Sequence, residues 1–185
     1  ASGSVAQPAA SAVTPASGRG RGRGSASSSA VFTGDGPSAP ARIFTMTQQD
    51  ATASTTVVAG NLVIGCSDVY ALMDPGASHS FIAPRAVQRL ELMISELECP
   101  LWVSGPKCDP SVAESVCQCS PVFVEGRCLS ADLVVLDLTD FDVILGMDWL
   151  STHGATLDCR DKIVRFRGQD GSEVVFRGDR RGTPR

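Results

Sequence analysis

From Thr56 onward the chain is a succession of short apolar runs parted by glycine and polar clusters, a spacing that predicts strands rather than helices. Thr56 to Ile64 and Asp68 to Asp74 flank Gly65-Cys66-Ser67, the pattern of a hairpin. In its second arm Val69, Ala71 and Met73 alternate with Tyr70 and Leu72. Both faces are therefore apolar, and the strand reads as buried, with Asp74 at its end. Ser80 to Ile82 resumes the extended chain. Pro84 suits the first turn of a short helix, with Ala86, Val87 and Leu90 inward and Arg85, Gln88 and Arg89 outward. Leu97 to Val103 predicts a strand. After a turn-rich interval, Ser104 to Pro110, the run Val112 to Val124 leads into a hairpin of Pro121–Val124 and Cys128–Leu136 around Gly126. Phe141 to Leu145 is a short apolar strand, and Gly146 to His153 has helical spacing with Gly154 as its stop. Ala155–Asp158 and Lys162–Phe166 predict a last pair, with Glu173–Phe176 a weaker strand.

Composition divides the chain. Residues 1–55, rich in Ala, Ser, Gly and Pro, lack the aromatic and β-branched density that offsets chain entropy, and read as a disordered linker. Within it Gly18 to Gly24 alternates glycine with Arg19, Arg21 and Arg23, either a weak RNA contact or a solubilising spacer. The folded domain is expected at 56–168, followed by a basic tail at 169–185. With Ala1 first and Met46 the first methionine, the chain reads as a fragment or processed piece. Between residues 51 and 159 the only basic residues are Arg85, Arg89, Lys107 and Arg127, so the middle is acidic and does not suit a nucleic-acid groove. Seven cysteines without a secretory leader point to free thiols in a reducing, cytoplasmic compartment. Cys117-Gln-Cys119 lacks zinc spacing and only His79 and His153 could add imidazoles, so no metal is expected. No apolar run approaches the roughly 20 residues that span a bilayer, and no membrane role is expected.

The candidate chemistry lies in Asp74-Pro75-Gly76. Pro75 fixes one backbone angle and Gly76 permits the next, so the turn either closes a strand at the surface or wraps backbone N–H groups around a carboxylate. A second stretch decides between these: Phe141-Asp-Val-Ile-Leu-Gly-Met-Asp-Trp-Leu150 also runs an apolar strand into glycine. Together, Asp74-Pro-Gly-Ala-Ser-His-Ser-Phe-Ile82, Ala131-Asp-Leu-Val-Val-Leu136 and Asp140 to Leu150 resemble the retropepsin-like aspartic proteases. More narrowly they resemble the protease of plant Ty3/gypsy-type retrotransposon Gag-Pol polyproteins, over roughly residues 56–168. Ala41 to Asp50 is similar to the segment that precedes the protease there.

The resemblance implies an all-β fold, a closed retropepsin-like barrel with one or two short helices. It makes Asp74 the catalytic aspartate and Pro75, Gly76, Ala77 and Ser78 its loop, with Ser104, Gly105, Pro106 and Lys107 in the place of the flap and Ile144, Leu145, Gly146 and Asp148 as the strand-Gly-helix signature. The interval 104–107 fits either a flap or a plain hairpin loop. Asp-x-Gly occurs only at Asp74, while this chemistry needs two carboxylates that share a proton. The second must come from another copy, which implies a symmetric homodimer acting, without cofactor, on extended peptides of its own polyprotein, within that polyprotein or a virus-like particle. Asp148 reads as a first-turn helix charge or an ion-pair partner of an arginine such as Arg85, His79 as a support of the loop, and Trp102 as a core residue. Pro75 departs from the Ser or Thr usual in that family, whose hydroxyl braces the two loops across the dimer. The alternative function is therefore a catalytically degenerate interaction module of a Gag-like protein with the same barrel.

Overall fold

A computed structural model describes residues 40–43, 46–105, 108–168 and 170–180, all within the compact unit that begins at Gly36. The Arg-Gly repeat, the flap candidates Pro106 and Lys107, and residues 181–185 lie outside the described residues.

The first hairpin forms as its pattern predicts. β2 (Val58–Ile64) pairs antiparallel with β3 (Ser67–Met73), Val58 opposite Met73 and Ile64 opposite Ser67. Val69, Ala71, Leu72 and Met73 are almost fully buried, as expected of a strand apolar on both faces. β4 (Phe81–Ile82) follows the Asp74 loop. α2 (Pro84–Leu90) then starts at Pro84 and buries Ala86 and Val87. β5 (Ser95–Gly105) and β6 (Cys108–Val124) make a long antiparallel hairpin whose last pair is Gly105 with Cys108. β7 (Arg127–Val135) returns along β6 after the Glu125-Gly126 turn, where both residues have positive φ, the two-residue hairpin geometry that glycine favours. β8 (Val143–Leu145) and α3 (Met147–Thr152) complete the second motif.

The sheet closes on itself. Its order β6-β2-β3-β8-β4-β7 returns from β7 to β6, a six-stranded barrel in which β3–β8 and β4–β7 are parallel and the other neighbours antiparallel. Closure removes the free edges that an open sheet of these short strands would expose. A separate sheet runs β9 (Ala155–Asp158), β10 (Ile163–Arg167), β11 (Glu173–Arg177), with β10 in the middle.

Four expectations change. Inside the stretch read as linker, β1 (Ala41–Arg42) pairs parallel with β5 and α1 (Gln48–Ala53) starts at a Thr47 N-cap, so three short helices are present among the described residues. Ala41, Ile43 and Ala51 are buried, and burial of so few side chains holds a segment whose composition alone does not call for structure. Lys162 adds a specific anchor: its buried ammonium donates to the carbonyls of Ala51, Ser54 and Val57. Burial pushes its pKa below the usual lysine range. At the other end β11 and residues 178–180 belong to the fold rather than to a tail, since Gly178 N–H donates to Lys162 O and Asp179 N–H to Ala59 O. Third, Trp102 is 63% exposed, because it sits on the arm of the long hairpin outside the ring. Last, Arg85 pairs with Asp142 and not with Asp148, as described below.

Candidate active site

Asp74 leaves β3 into the barrel wall with 3% of its surface exposed. Its backbone N–H donates to Leu145 O at 3.0 Å, continuing the parallel β3–β8 register past Met73 opposite Leu145. Its Oδ1 accepts the Gly76 N–H at 2.8 Å, and its carbonyl accepts the Ala77 N–H at 3.2 Å. The turn therefore holds the carboxylate on a backbone N–H, the second of the two readings open to Asp-Pro-Gly. Pro75 and Gly76 are exposed at its tip while Ala77 is buried.

The loop is clamped from the Gly146 side. Met147 N–H donates to Ala77 O at 2.8 Å. Gly146 packs so closely that a Cβ there would stand 2.3 Å from His79 O and 2.9 Å from Ala77 O, which only glycine avoids. Ser80, fully buried, bridges the two elements: its Oγ accepts the Gly146 N–H at 3.0 Å and donates to Asp148 Oδ1 at 2.8 Å. Asp148 Oδ2 also accepts the Ser80 N–H at 2.9 Å, and Oδ1 the Trp149 N–H at 2.7 Å at the start of α3. Of the two readings of Asp148, a first-turn helix charge or an arginine partner, the structure has the first, and sequence reasoning overlooked Ser80. A serine in Ser-His-Ser-Phe carries no signal of its own until β4 and α3 are placed side by side.

Arg85 and Arg89 converge instead on Asp142, the residue before β8. Arg89 Nη2 lies 2.9 Å from Asp142 Oδ2 and Arg85 Nε 3.5 Å from Oδ1, while Asp142 also accepts the Tyr70 N–H. Arg85 further donates to the carbonyls of Leu138 and Phe141. Burial pushes the Asp142 carboxyl upward, but the Arg89 and Tyr70 hydrogen bonds and the two guanidinium charges outweigh it and hold the group below the usual carboxylate range.

Just after the turn, Ser78 Oγ lies 3.0 Å from His79 Nδ1. Ser78 also makes a reciprocal pair with Arg42, which sequence reasoning did not place at the site. Ser104 and Gly105 end β5, where Gly105 pairs with Cys108 of β6. Ile144, Leu145 and Gly146 are brought against the Asp74 loop by β8. Burial pushes the Cys159 thiol up, Lys162 opposes this, and the charges of Asp158 and Asp74 add to it, which puts the turn after β9 within electrostatic reach of the site. A surface concavity lined by Arg127, His153, Arg165 and Glu173 shares no residue with it. Among the described residues no three His, Cys, Asp or Glu side chains gather as a metal site, no disulfide is formed, and no helix is long and apolar enough to cross a membrane.

A closed six-stranded barrel that runs one strand into an Asp-x-Gly turn, locked against a second strand-Gly-helix element, defines the retropepsin-like aspartic protease domain. Residues 38–172 match the sequence profile of the family described as retroviral aspartyl protease, and the chain belongs to that family. Among solved structures it is similar to the retroviral protease-like domain of Ddi1 from Leishmania major, at 20% identity and TM-score 0.50, covering 64% of this chain and 92% of that one. It is also similar to the EIAV protease complexed with the inhibitor HBY-793, at 22% identity and TM-score 0.39, covering 54% of this chain and 89% of that one. No curated protein matches the chain.

Proposed function

We propose that this chain is the aspartic endopeptidase domain of a retrotransposon polyprotein of the plant Ty3/gypsy type, and that it hydrolyses peptide bonds as a homodimer. The observation that carries the reading is the buried Asp74 carboxylate held on the Gly76 N–H and clamped to the Gly146 turn, in a chain with no second Asp-x-Gly. Two such carboxylates at a two-fold axis repel each other until they share one proton. One then takes a proton from the attacking water while the other hydrogen-bonds the scissile carbonyl. Water is the nucleophile, so no covalent intermediate or cofactor enters. The substrates are extended segments of the same polyprotein, bound between the Asp74 loop and the hairpin of β5 and β6. An intracellular, reducing compartment accords with the free thiols of Cys66, Cys99, Cys117, Cys119, Cys128 and Cys159. A weak RNA contact through residues 18–24 rests on the charge of that segment alone.

The test is Asp74→Asn in the full chain, with cleavage of a polyprotein fragment followed by mass spectrometry and self-association by sedimentation equilibrium. Cleavage should disappear while the thermal transition is kept. Unchanged cleavage removes the mechanism, and cleavage by a species that stays monomeric at every concentration removes the dimer.

A further inference from the structure

Three backbone-directed hydrogen bonds fasten residues 41–43 between the Asp74 loop and the long hairpin. Arg42 N–H donates to Ser78 Oγ at 2.9 Å, Arg42 O accepts the Ser78 N–H at 3.1 Å, and Ile43 N–H donates to Ser104 O at 3.2 Å. β1 runs parallel to β5 with Ala41 opposite Val103 and Arg42 opposite Ser104, just before that strand ends at Gly105. Ser78 stands four residues after Asp74. The segment thus joins both surfaces that an extended peptide must touch to be cut at Asp74. Its side chains alternate as a bound strand's do: Ala41 and Ile43 are each 1% exposed and Arg42 faces solvent. Asp74, which has to meet a water and a peptide carbonyl, is itself nearly inaccessible.

Resting on the peptidase reading of Asp74, we propose that residues 41–43 are an intramolecular occupant of the peptide channel, and that a peptide in trans binds only when this segment leaves. Strand addition of this kind takes its affinity from main-chain bonds and its selectivity from the pockets of alternate side chains. The pockets filled by Ala41 and Ile43 therefore also specify the substrate: an extended peptide with a small apolar residue, any solvent-facing residue, then a branched aliphatic one. A tethered segment acts at an effective concentration on the order of 1 mM. If the segment's own Kd for the open channel is on the order of 10 μM, a peptide in trans binds the closed chain on the order of 100-fold more weakly.

The test uses the full chain with Asp74→Asn, so that nothing is cut, with and without Arg42→Pro. Proline at this exposed extended position deletes the N–H given to Ser78 and removes no core side chain. The probe is a fluorescent peptide with the sequence Pro40 to Met46, followed by anisotropy, and hydrogen exchange at the Ser78 amide reports whether the segment has left. The expected result is faster Ser78 exchange and at least ten-fold tighter peptide binding in the Arg42→Pro chain, abolished when the peptide carries Asp in place of its Ala41 and Ile43. Equal affinity in the two chains, or no binding to a chain whose Ser78 amide is released, overturns the proposal. If Arg42→Pro leaves Ser78 protected, Ile43→Asp serves as the releasing variant under the same criteria. Because binding is read without catalysis, a chain that shows the difference yet never cleaves with Asp74 intact fails the peptidase reading and not this one.

Discussion

Ser78 and Ser80 offer the same chemical change at two sites with different physics. Replacing Ser80 by Ala removes a hydroxyl with no exposure that donates to a carboxylate and accepts the Gly146 N–H. A hydrogen bond to a charged group contributes about 1.5–3 kcal/mol, and a buried donor left unmatched costs about 1–3 kcal/mol. The two effects share one atom and do not add fully, so the expected loss is about 3 kcal/mol. Ser78 Oγ accepts from the Arg42 N–H at an exposed position where water replaces it, and Ser78→Ala should cost less than about 1 kcal/mol. In urea, with a slope of about 2 kcal/mol per molar for a domain of this size, the midpoint should fall by about 1.5 M for Ser80→Ala and by under about 0.5 M for Ser78→Ala. Slopes equal to that of the parent show that stability alone has changed. Equal midpoints for the two variants would refute the assignment of Ser80 as the bridge between β4 and α3. So would a Ser80→Ala loss below about 1 kcal/mol.

The same structure makes two further predictions. The depressed Asp142 carboxyl adds stability that is complete above the unfolded carboxylate pKa of about 3.9 and is lost as pH falls through its lower folded value. Asp142→Asn should therefore cost about 2 kcal/mol at pH 7, with the gap from the parent closing in acid; urea midpoints across pH 7 to 3 measure it, and a gap constant with pH contradicts the ion pairs. Lys162→Met should strip three carbonyls of their donor, cost about 3 kcal/mol, and make residues 46–56 the first site of limited proteolysis; resistance equal to the parent's would mean that the ammonium does not anchor α1.

What was legible in the sequence follows from how local each determinant is. The β2–β3 and β6–β7 hairpins are set by a period and a turn, both carried by adjacent residues, and the Asp74 loop and Gly146 element carry their own punctuation. β1 is two residues long and pairs with a strand some sixty residues away, so neither period nor composition announces it. For the arginines of α2, Arg85 and Arg89, the second motif offers two acids, Asp142 and Asp148. Only the placement of β8 against β4 decides that the first meets guanidinium and the second meets Ser80. Trp102 misled for a related reason: its run, Leu101-Trp-Val103, is apolar on both faces, yet its strand lies beyond the ring, where Val103 and the partly buried Leu101 face inward and Trp102 does not.

The placement of these elements narrows what Pro75 implies. Proline at that position deprives the loop of a hydroxyl and an N–H, and on sequence grounds this weakens the brace between the two loops across a dimer. Within one chain, however, the turn is held by the Asp74 N–H on Leu145 O, the Gly76 N–H on Asp74 Oδ1, the Ala77 N–H on Asp74 O and the Met147 N–H on Ala77 O, behind which stand Ser80 and Asp148. None of these bonds uses residue 75, and its side chain is exposed at the tip. The clamp from β8 and α3 therefore fixes the carboxylate independently of that position, and in the proposed homodimer any cost of the proline falls on the contact between two copies rather than on the half-site each one brings.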